Sequence, residues 1–162
     1  MNHWVSSKGW KYELFDLDTD AAAFGEHASF ITHWRSFRNN NTLSDWTDLD
    51  LIEFKEWYGK ISVTDIVSFT PLQLKYRLWG TVLTDIWKED RTGALIVEDS
   101  EEFSHNDKKL VLNVLTTPVL GKLSGSLYWN DRDHINISVV TAPLGKPGEP
   151  ADKFISAIIA SE

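Results

Sequence analysis

The hydrophobic pattern of the chain changes its period at Gly80, and this change limits the fold to one in which a strand runs into a helix. Before the glycine, apolar and polar residues alternate, which is the pattern of a half-buried β-strand. After the glycine, apolar residues recur at helical spacing. The apolar positions are Leu74, Tyr76 and Leu78 in the first part and Val82, Leu83, Ile86 and Trp87 in the second. We therefore predict a strand, a short helix capped by Thr81 and a polar turn ending at Gly93.

The rest of the chain predicts further helices and strands but no repeated strand–helix–strand crossover. A helix is expected over residues 27–38, where Phe30, Trp34 and Phe37 share one face, and another from Ser104 or Asn106 to about Thr116. Strands are expected at 60–67, 119–129, 134–143 and 154–160. This order favours an α+β fold with an antiparallel sheet.

Composition and charge exclude several classes of protein. The chain has no cysteine, which rules out disulfides, thiolate zinc sites and a cysteine nucleophile. Its formal net charge of −8 argues against nucleic acid and against an anionic membrane surface as partners. No apolar run approaches the ~20 residues that span a bilayer, and the N-terminus has no signal-peptide pattern. A cytoplasmic location is expected.

The sequence contains no motif that indicates catalysis or a metal site. The carboxylates of Asp16, Asp18 and Asp20 resemble the start of a calcium loop, but Ala21 and His27 stand where that loop needs glycine and glutamate. There is no HExxH pair, no nucleophile elbow and no glycine-rich phosphate loop. We therefore predict that the protein is not an enzyme, and the sequence identifies no cofactor.

The run from Lys75 to Gly93 resembles the signature of short bacterial PAS-like sensory proteins. The matching residues are Tyr76, Arg77, Leu78, Gly80, Thr81, Asp90, Thr92 and Gly93. The resemblance covers about residues 30–160 and implies a five-stranded antiparallel sheet in the order 2-1-5-4-3, with helices on one face. It also implies an N-terminal helical extension at 1–58 and a PAS-like domain at 59–162. Arg77 is expected to anchor the turn by pairing with an acidic residue such as Asp90.

Such a domain would work in signal transduction by binding a small molecule or a protein partner. The inward residues expected to line a pocket are Tyr76, Leu78, Leu83, Trp87, Val114, Leu115, Tyr128, Ile137 and Val139. The same residues could instead fill a solid core. The alternative is a small α+β enzyme or carrier for hydrophobic molecules, of the ketosteroid-isomerase-like class, which needs a buried carboxyl group with a raised pKa.

The helix at 27–38 is also a candidate dimer contact. Its apolar stripe of Phe30, Ile31, Trp34 and Phe37 either packs on the protein's own core or pairs with a second copy across a two-fold axis. We expect a homodimer, and a change at this surface would transmit the signal.

Overall fold

The computed structural model describes residues 2–127 and 132–162. The strands are β1 (His3–Val5), β2 (Lys11–Phe15), β3 (Ile61–Phe69), β4 (Leu72–Trp79), β5 (Leu95–Val97), β6 (Leu120–Leu127), β7 (Arg132–Leu144) and β8 (Lys153–Ser161). The helices are α1 (Ala28–Ser36), α2 (Thr81–Trp87) and α3 (His105–Thr116), with 3₁₀ segments at Ala21–His27, Trp46–Asp48 and Leu51–Trp57. The helices predicted at 27–38 and up to Thr116 are confirmed.

The described strands form one antiparallel sheet of eight, in the order β1-β2-β6-β7-β8-β3-β4-β5. The expected five-stranded PAS-like sheet is therefore wrong. Strands β4, β3, β8, β7 and β6 do lie side by side in that order, but β2 and β1 extend the sheet beyond β6, and β5 extends it beyond β4. The two N-terminal strands come from residues 3–15, where no apolar period is sustained in the sequence.

Helical segments cover both faces of the sheet, so the expectation of helices on one face is also wrong. Helix α3 packs over the face that carries Gly121, because a Cβ there would meet Leu110 and Val114. His27 lies on the opposite face, where its ring contacts the carbonyl oxygen of Ala157 and its pKa is affected by Lys122. The central strands must therefore be apolar on both faces: Val140 and Ala157 are buried on one face, and Ile137 and Ile158 are buried on the other.

Helix α1 buries its apolar stripe inside the protein. Phe30, Ile31 and Trp34 are fully buried, and the indole Nε1 of Trp34 donates a hydrogen bond of 3.0 Å to the carbonyl oxygen of Pro143 in β7. Phe54 packs beside Phe30, with their ring centroids 5.9 Å apart. The stripe thus belongs to the protein's own core, and these buried side chains offer no exposed surface for the expected dimer contact.

The junction between β4 and α2 explains the change of period at Gly80. The N–H of Gly80 donates to the carbonyl oxygen of Ile61, and the N–H of Val82 donates to that of Gly59, at 3.0 and 2.9 Å. Helix α2 therefore starts in contact with the backbone that leads into β3 and with its first residue. Gly80 itself is the N-cap residue and no side chain caps the helix, so the assignment of Thr81 as the cap is wrong.

A β-bulge at Arg77 corrects two details of the β4 prediction. Val63 and Thr64 are neighbours in β3, and they pair with Leu78 and Tyr76, respectively. Since adjacent strand residues point to opposite faces, Tyr76 and Leu78 lie on opposite faces of the sheet. Arg77 pairs with Asp65, with Nε 3.0 Å from Oδ1, whereas Asp90 caps its own turn by accepting from the N–H of Thr92. The expected Arg77–Asp90 pair is therefore wrong.

Candidate functional site: the free edge of strand β5

The residues expected to line a pocket separate into several groups. Tyr76 and Trp87 both pack against Trp79, with centroid distances of 4.7 and 5.6 Å. Leu78 lies on the opposite face of the sheet from Tyr76. The buried members are Leu83, Val114, Leu115 and Ile137, and Val139 is half-buried. Tyr128 lies outside the described residues.

The two best-defined surface depressions of the described residues contain none of those side chains. One has a volume of about 570 Å³ and lies at the C-terminal end of α1. The other, of about 270 Å³, lies on the outer side of α3 between His105 and Asn113. The described members of this set belong to the packed aromatic and aliphatic core or pack against it, and none of them lines either depression.

Two ionisable groups of the core, Tyr76 and His27, are held in their neutral forms. Burial raises the pKa of Tyr76 to about 12, although the guanidinium of Arg91, 5.7 Å from the ring centroid, opposes this. Burial also lowers the pKa of His27 to about 4. Both shifts follow from the cost of placing a charge in an apolar environment.

The ketosteroid-isomerase-like alternative requires a carboxyl group with a raised pKa, and the carboxyl groups with a defined pKa shift in the described residues go the other way. They are Asp18, Glu56, Asp90 and Glu98. Each pKa is lowered, mainly because a hydrogen bond stabilises the carboxylate. In the described part of the chain, no group of three or more His, Asp or Glu residues is placed to hold a metal ion.

Strand β5 is one end of the sheet and leaves backbone groups without a strand partner. The N–H of Tyr76 donates to the carbonyl oxygen of Ala94, and the N–H of Glu98 donates to that of Leu72. In an antiparallel pair the direction of these groups alternates, so those of Leu95 and Val97 point away from β4. The carbonyl oxygen of Val97 accepts from Ser100 Oγ at 2.9 Å. Three outward backbone groups of β5 have no hydrogen-bond partner within the described residues: the N–H and C=O of Leu95 and the N–H of Val97.

The side chains at this edge are apolar and exposed. Leu95 is 58% exposed and Val97 is 47% exposed. We name Leu95 and Val97 the edge patch. Exposed apolar side chains beside unpaired strand groups form a template for another strand.

Acidic residues follow the edge patch directly. The segment 98–102 contains four carboxylates, of which Glu98 pairs with Lys108 at 2.9 Å and Glu102 pairs with Arg91. Asp99 and Glu101 are exposed and form no ion pair with a cation of the described residues. The edge therefore ends in a negative potential, which adds to the overall charge of −8.

The opposite edge of the sheet, strand β1, lacks this combination. The N–H of Ser6 donates to the carbonyl oxygen of Trp10, and the N–H of Leu14 donates to that of Asn2, so His3 and Val5 point outward. Of these two, only Val5 is apolar, with 64% exposure. The β1 edge is thus a useful control for the β5 edge.

Sequence reasoning predicts Leu95 to Val97 only as a short apolar piece. Three apolar residues between Gly93 and an acidic run are a signal for a short strand. Their exposure could not be read from the sequence, because it depends on β5 being the last strand of the sheet.

Comparison with family models, with curated proteins and with solved structures finds no match to this chain. The resemblance of residues 75–93 to PAS-like proteins therefore stays a prediction. In the described residues, no helix is both long enough and apolar enough to cross a membrane.

Proposed function

We propose that this protein is a regulatory binding domain that takes up an extended segment of a partner protein as an additional strand beside β5. The observation that carries the proposal is the edge patch, where exposed apolar side chains adjoin three outward backbone groups. Strand addition of this kind uses main-chain hydrogen bonds for affinity and alternate side chains for specificity. The cytoplasmic location and non-enzymatic role expected from the sequence belong to this proposal.

The chemistry of the edge indicates what the partner segment contains. Leu95 and Val97 lie on one face of β5, so they favour apolar side chains at alternate positions of the added strand. Asp99 and Glu101 favour lysine or arginine in the same segment and disfavour acidic residues. The occupant is therefore a basic, alternately apolar segment of another protein.

A second copy of this chain is the competing occupant of the edge. Two copies would bring together chains that each carry a net charge of −8, and this repulsion opposes self-association. Sedimentation of the protein over a range of concentrations separates the two. A dimer that Val97→Pro dissociates would overturn the proposal of a different partner, and a monomer would support it.

The experiment measures binding of two synthetic peptides of about eight residues by fluorescence anisotropy. One alternates lysine and valine, and the other alternates glutamate and valine. We expect the basic peptide to bind with a dissociation constant on the order of 100 µM and the acidic peptide to bind at least ~10-fold more weakly. Glu101→Lys should weaken binding of the basic peptide and reduce its dependence on salt.

Matched proline variants test whether the β5 edge is the binding site. Val97→Pro removes an outward N–H without breaking a hydrogen bond to β4, so the fold should persist. Val5→Pro makes the same change on the β1 edge. We expect Val97→Pro to abolish binding and Val5→Pro to leave it intact. Equal binding by both variants, or no binding by the unmodified protein, would overturn the proposal.

A further inference from the structure

The larger surface depression lies where α1 ends, in a different part of the chain from the edge patch. It has a volume of about 570 Å³ and is lined by Asp18, Arg35, Ser36, Arg38 and the three asparagines 39–41. Its size falls within the range of small-molecule sites. Its lining is polar, so the ligand that fits must itself be polar.

Backbone carbonyl groups and one carboxylate hold the two guanidinium groups in place. Arg35 donates from Nε and Nη2 to the carbonyl oxygen of Leu17, at 3.1 and 2.7 Å, and Nη2 also donates to that of Thr19. Arg38 donates from Nε to the carbonyl oxygen of Asn41 at 3.1 Å and from Nη1 to Asp18 at 2.8 Å. The guanidinium groups are therefore fixed before any ligand arrives, which lowers the entropy cost of binding.

The lining of the depression carries one net positive charge. Arg35 and Arg38 supply two cations, and Asp18, which pairs with Arg38 and is 83% exposed, supplies one carboxylate. Burial and the charge of Arg38 lower the pKa of Arg35, and the carboxylates of Asp18 and Asp20 oppose this shift. Nη1 of Arg35 and Nη2 of Arg38 donate no hydrogen bond to the described residues. An oxyanion would satisfy both donors.

The asparagines complete the lining with neutral donors. Asn39 and Asn40 have φ angles of 51° and 67°, in the left-handed region that asparagine tolerates. Both are exposed, and their side-chain amides are free to donate to a ligand. The C-terminal carbonyls of α1 oppose an anion here, with an effective charge of about half a unit. The net positive charge of the lining exceeds that effective negative charge.

We propose that this depression binds a small molecule through an oxyanion group, a phosphate or a carboxylate, held by Arg35, Arg38 and the amides of Asn39 and Asn40. The site is independent of the proposed strand addition, since it lies in other elements and recognises another class of ligand. The two binding events would strengthen each other if the partner and the anion bound the same conformation of the protein more tightly.

The test is a two-dimensional NMR titration of the protein with inorganic phosphate, with acetate and with sodium chloride at matched ionic strength. We expect a saturable shift of the backbone amides of Asn39 and Asn40 with phosphate or acetate and none with chloride. The tighter of the two anions identifies the ligand class. Equal shifts with chloride, or no saturable shift with any anion, would overturn the proposal.

A pair of variants with the same charge change places the site. Asn40→Asp adds a carboxylate at a position where aspartate tolerates the left-handed conformation. Asn136→Asp adds the same charge at an exposed position of β7. We expect Asn40→Asp to weaken anion binding by at least ~10-fold and Asn136→Asp to leave it within about twofold. If both variants weaken binding equally, the anion responds to net charge only, and the proposed location of the site is wrong.

Discussion

The imidazole Nε2 of His27 lies 3.1 Å from the carbonyl oxygen of Ala157, a central residue of β8. The ring is 2% exposed and stacks on Trp57, with their centroids 5.4 Å apart. In this site a neutral ring that donates from Nε2 is satisfied, whereas a charged ring would lack solvation. Burial, helped by the positive charge of Lys122, therefore lowers the pKa of His27 to about 4.

This pKa predicts how stability depends on pH. Above the unfolded-state pKa of about 6.5, both states are neutral at His27 and the ring imposes no penalty. Below it, the unfolded chain binds a proton that the folded protein does not, so the free energy of unfolding falls until about pH 4. The loss is on the order of 3 kcal/mol. His27→Gln keeps a donor for Ala157 and does not titrate.

The measurement is urea unfolding of both proteins between pH 7.5 and pH 4. We expect the unmodified protein to lose more stability than His27→Gln over this range, by about 3 kcal/mol. His105→Asn, at an exposed position, should behave as the unmodified protein does. Parallel pH profiles for the unmodified protein and His27→Gln would contradict a buried neutral His27.

We predict that Gly80 cannot be replaced, because a side chain would have no room there and not because of its backbone conformation. A Cβ at this position would overlap the carbonyl group of Gly59 and lie 2.9 Å from the carbonyl oxygen of Ile61. These are backbone atoms, which cannot rotate away. Gly80→Ala should lower the free energy of unfolding by more than ~2 kcal/mol.

Gly93 provides the control for that substitution. Its φ angle is +81°, and beyond its two chain neighbours no described atom lies within 4 Å of the position that a Cβ would take. Gly93→Ala should therefore cost only the conformational penalty, about 1 kcal/mol. Thermal unfolding of both variants compares the two effects, and an equal cost would argue against the close contact at Gly80.

Trp34 is predicted to stabilise the fold and not an association between copies. Trp34→Phe removes the donor to the carbonyl oxygen of Pro143 and should cost about 1–3 kcal/mol of stability. Trp34→Gln should unfold the protein, since it places an amide among fully buried aromatic residues. Circular dichroism and sedimentation check this. If the unmodified protein is a dimer and Trp34→Gln is a folded monomer, the prediction is wrong and α1 does form a dimer contact.

Local patterns in the sequence predict most helices and strands of this protein. Ser104 caps α3 as expected, and its side chain accepts from the N–H of Asp107 while Asp107 accepts from the N–H of Ser104. Asp20 likewise caps the segment Ala21–His27. Such signals need only a few neighbouring residues, so they are visible without the tertiary structure.

Features that depend on distant contacts could not be predicted in this way. Strand β2 exists because residues 11–15 pair with β6, more than 100 residues later in the chain. The bulge at Arg77 moves Leu78 to the other face, and no local pattern marks it. The apolar stripe of α1 is compatible with an exposed or a buried position until the sheet that covers it is known. The edge patch depends on strand order in the same way.

Amide exchange at β5 tests the proposed strand addition most directly. With the lysine–valine peptide bound, the N–H groups of Leu95 and Val97 should exchange more slowly, because each would donate to the added strand. The N–H of Ile96, which faces β4, and that of Val5, on the other edge, should not change. A bound peptide that slows exchange at Val5 instead, or leaves Leu95 and Val97 unprotected, would contradict the account.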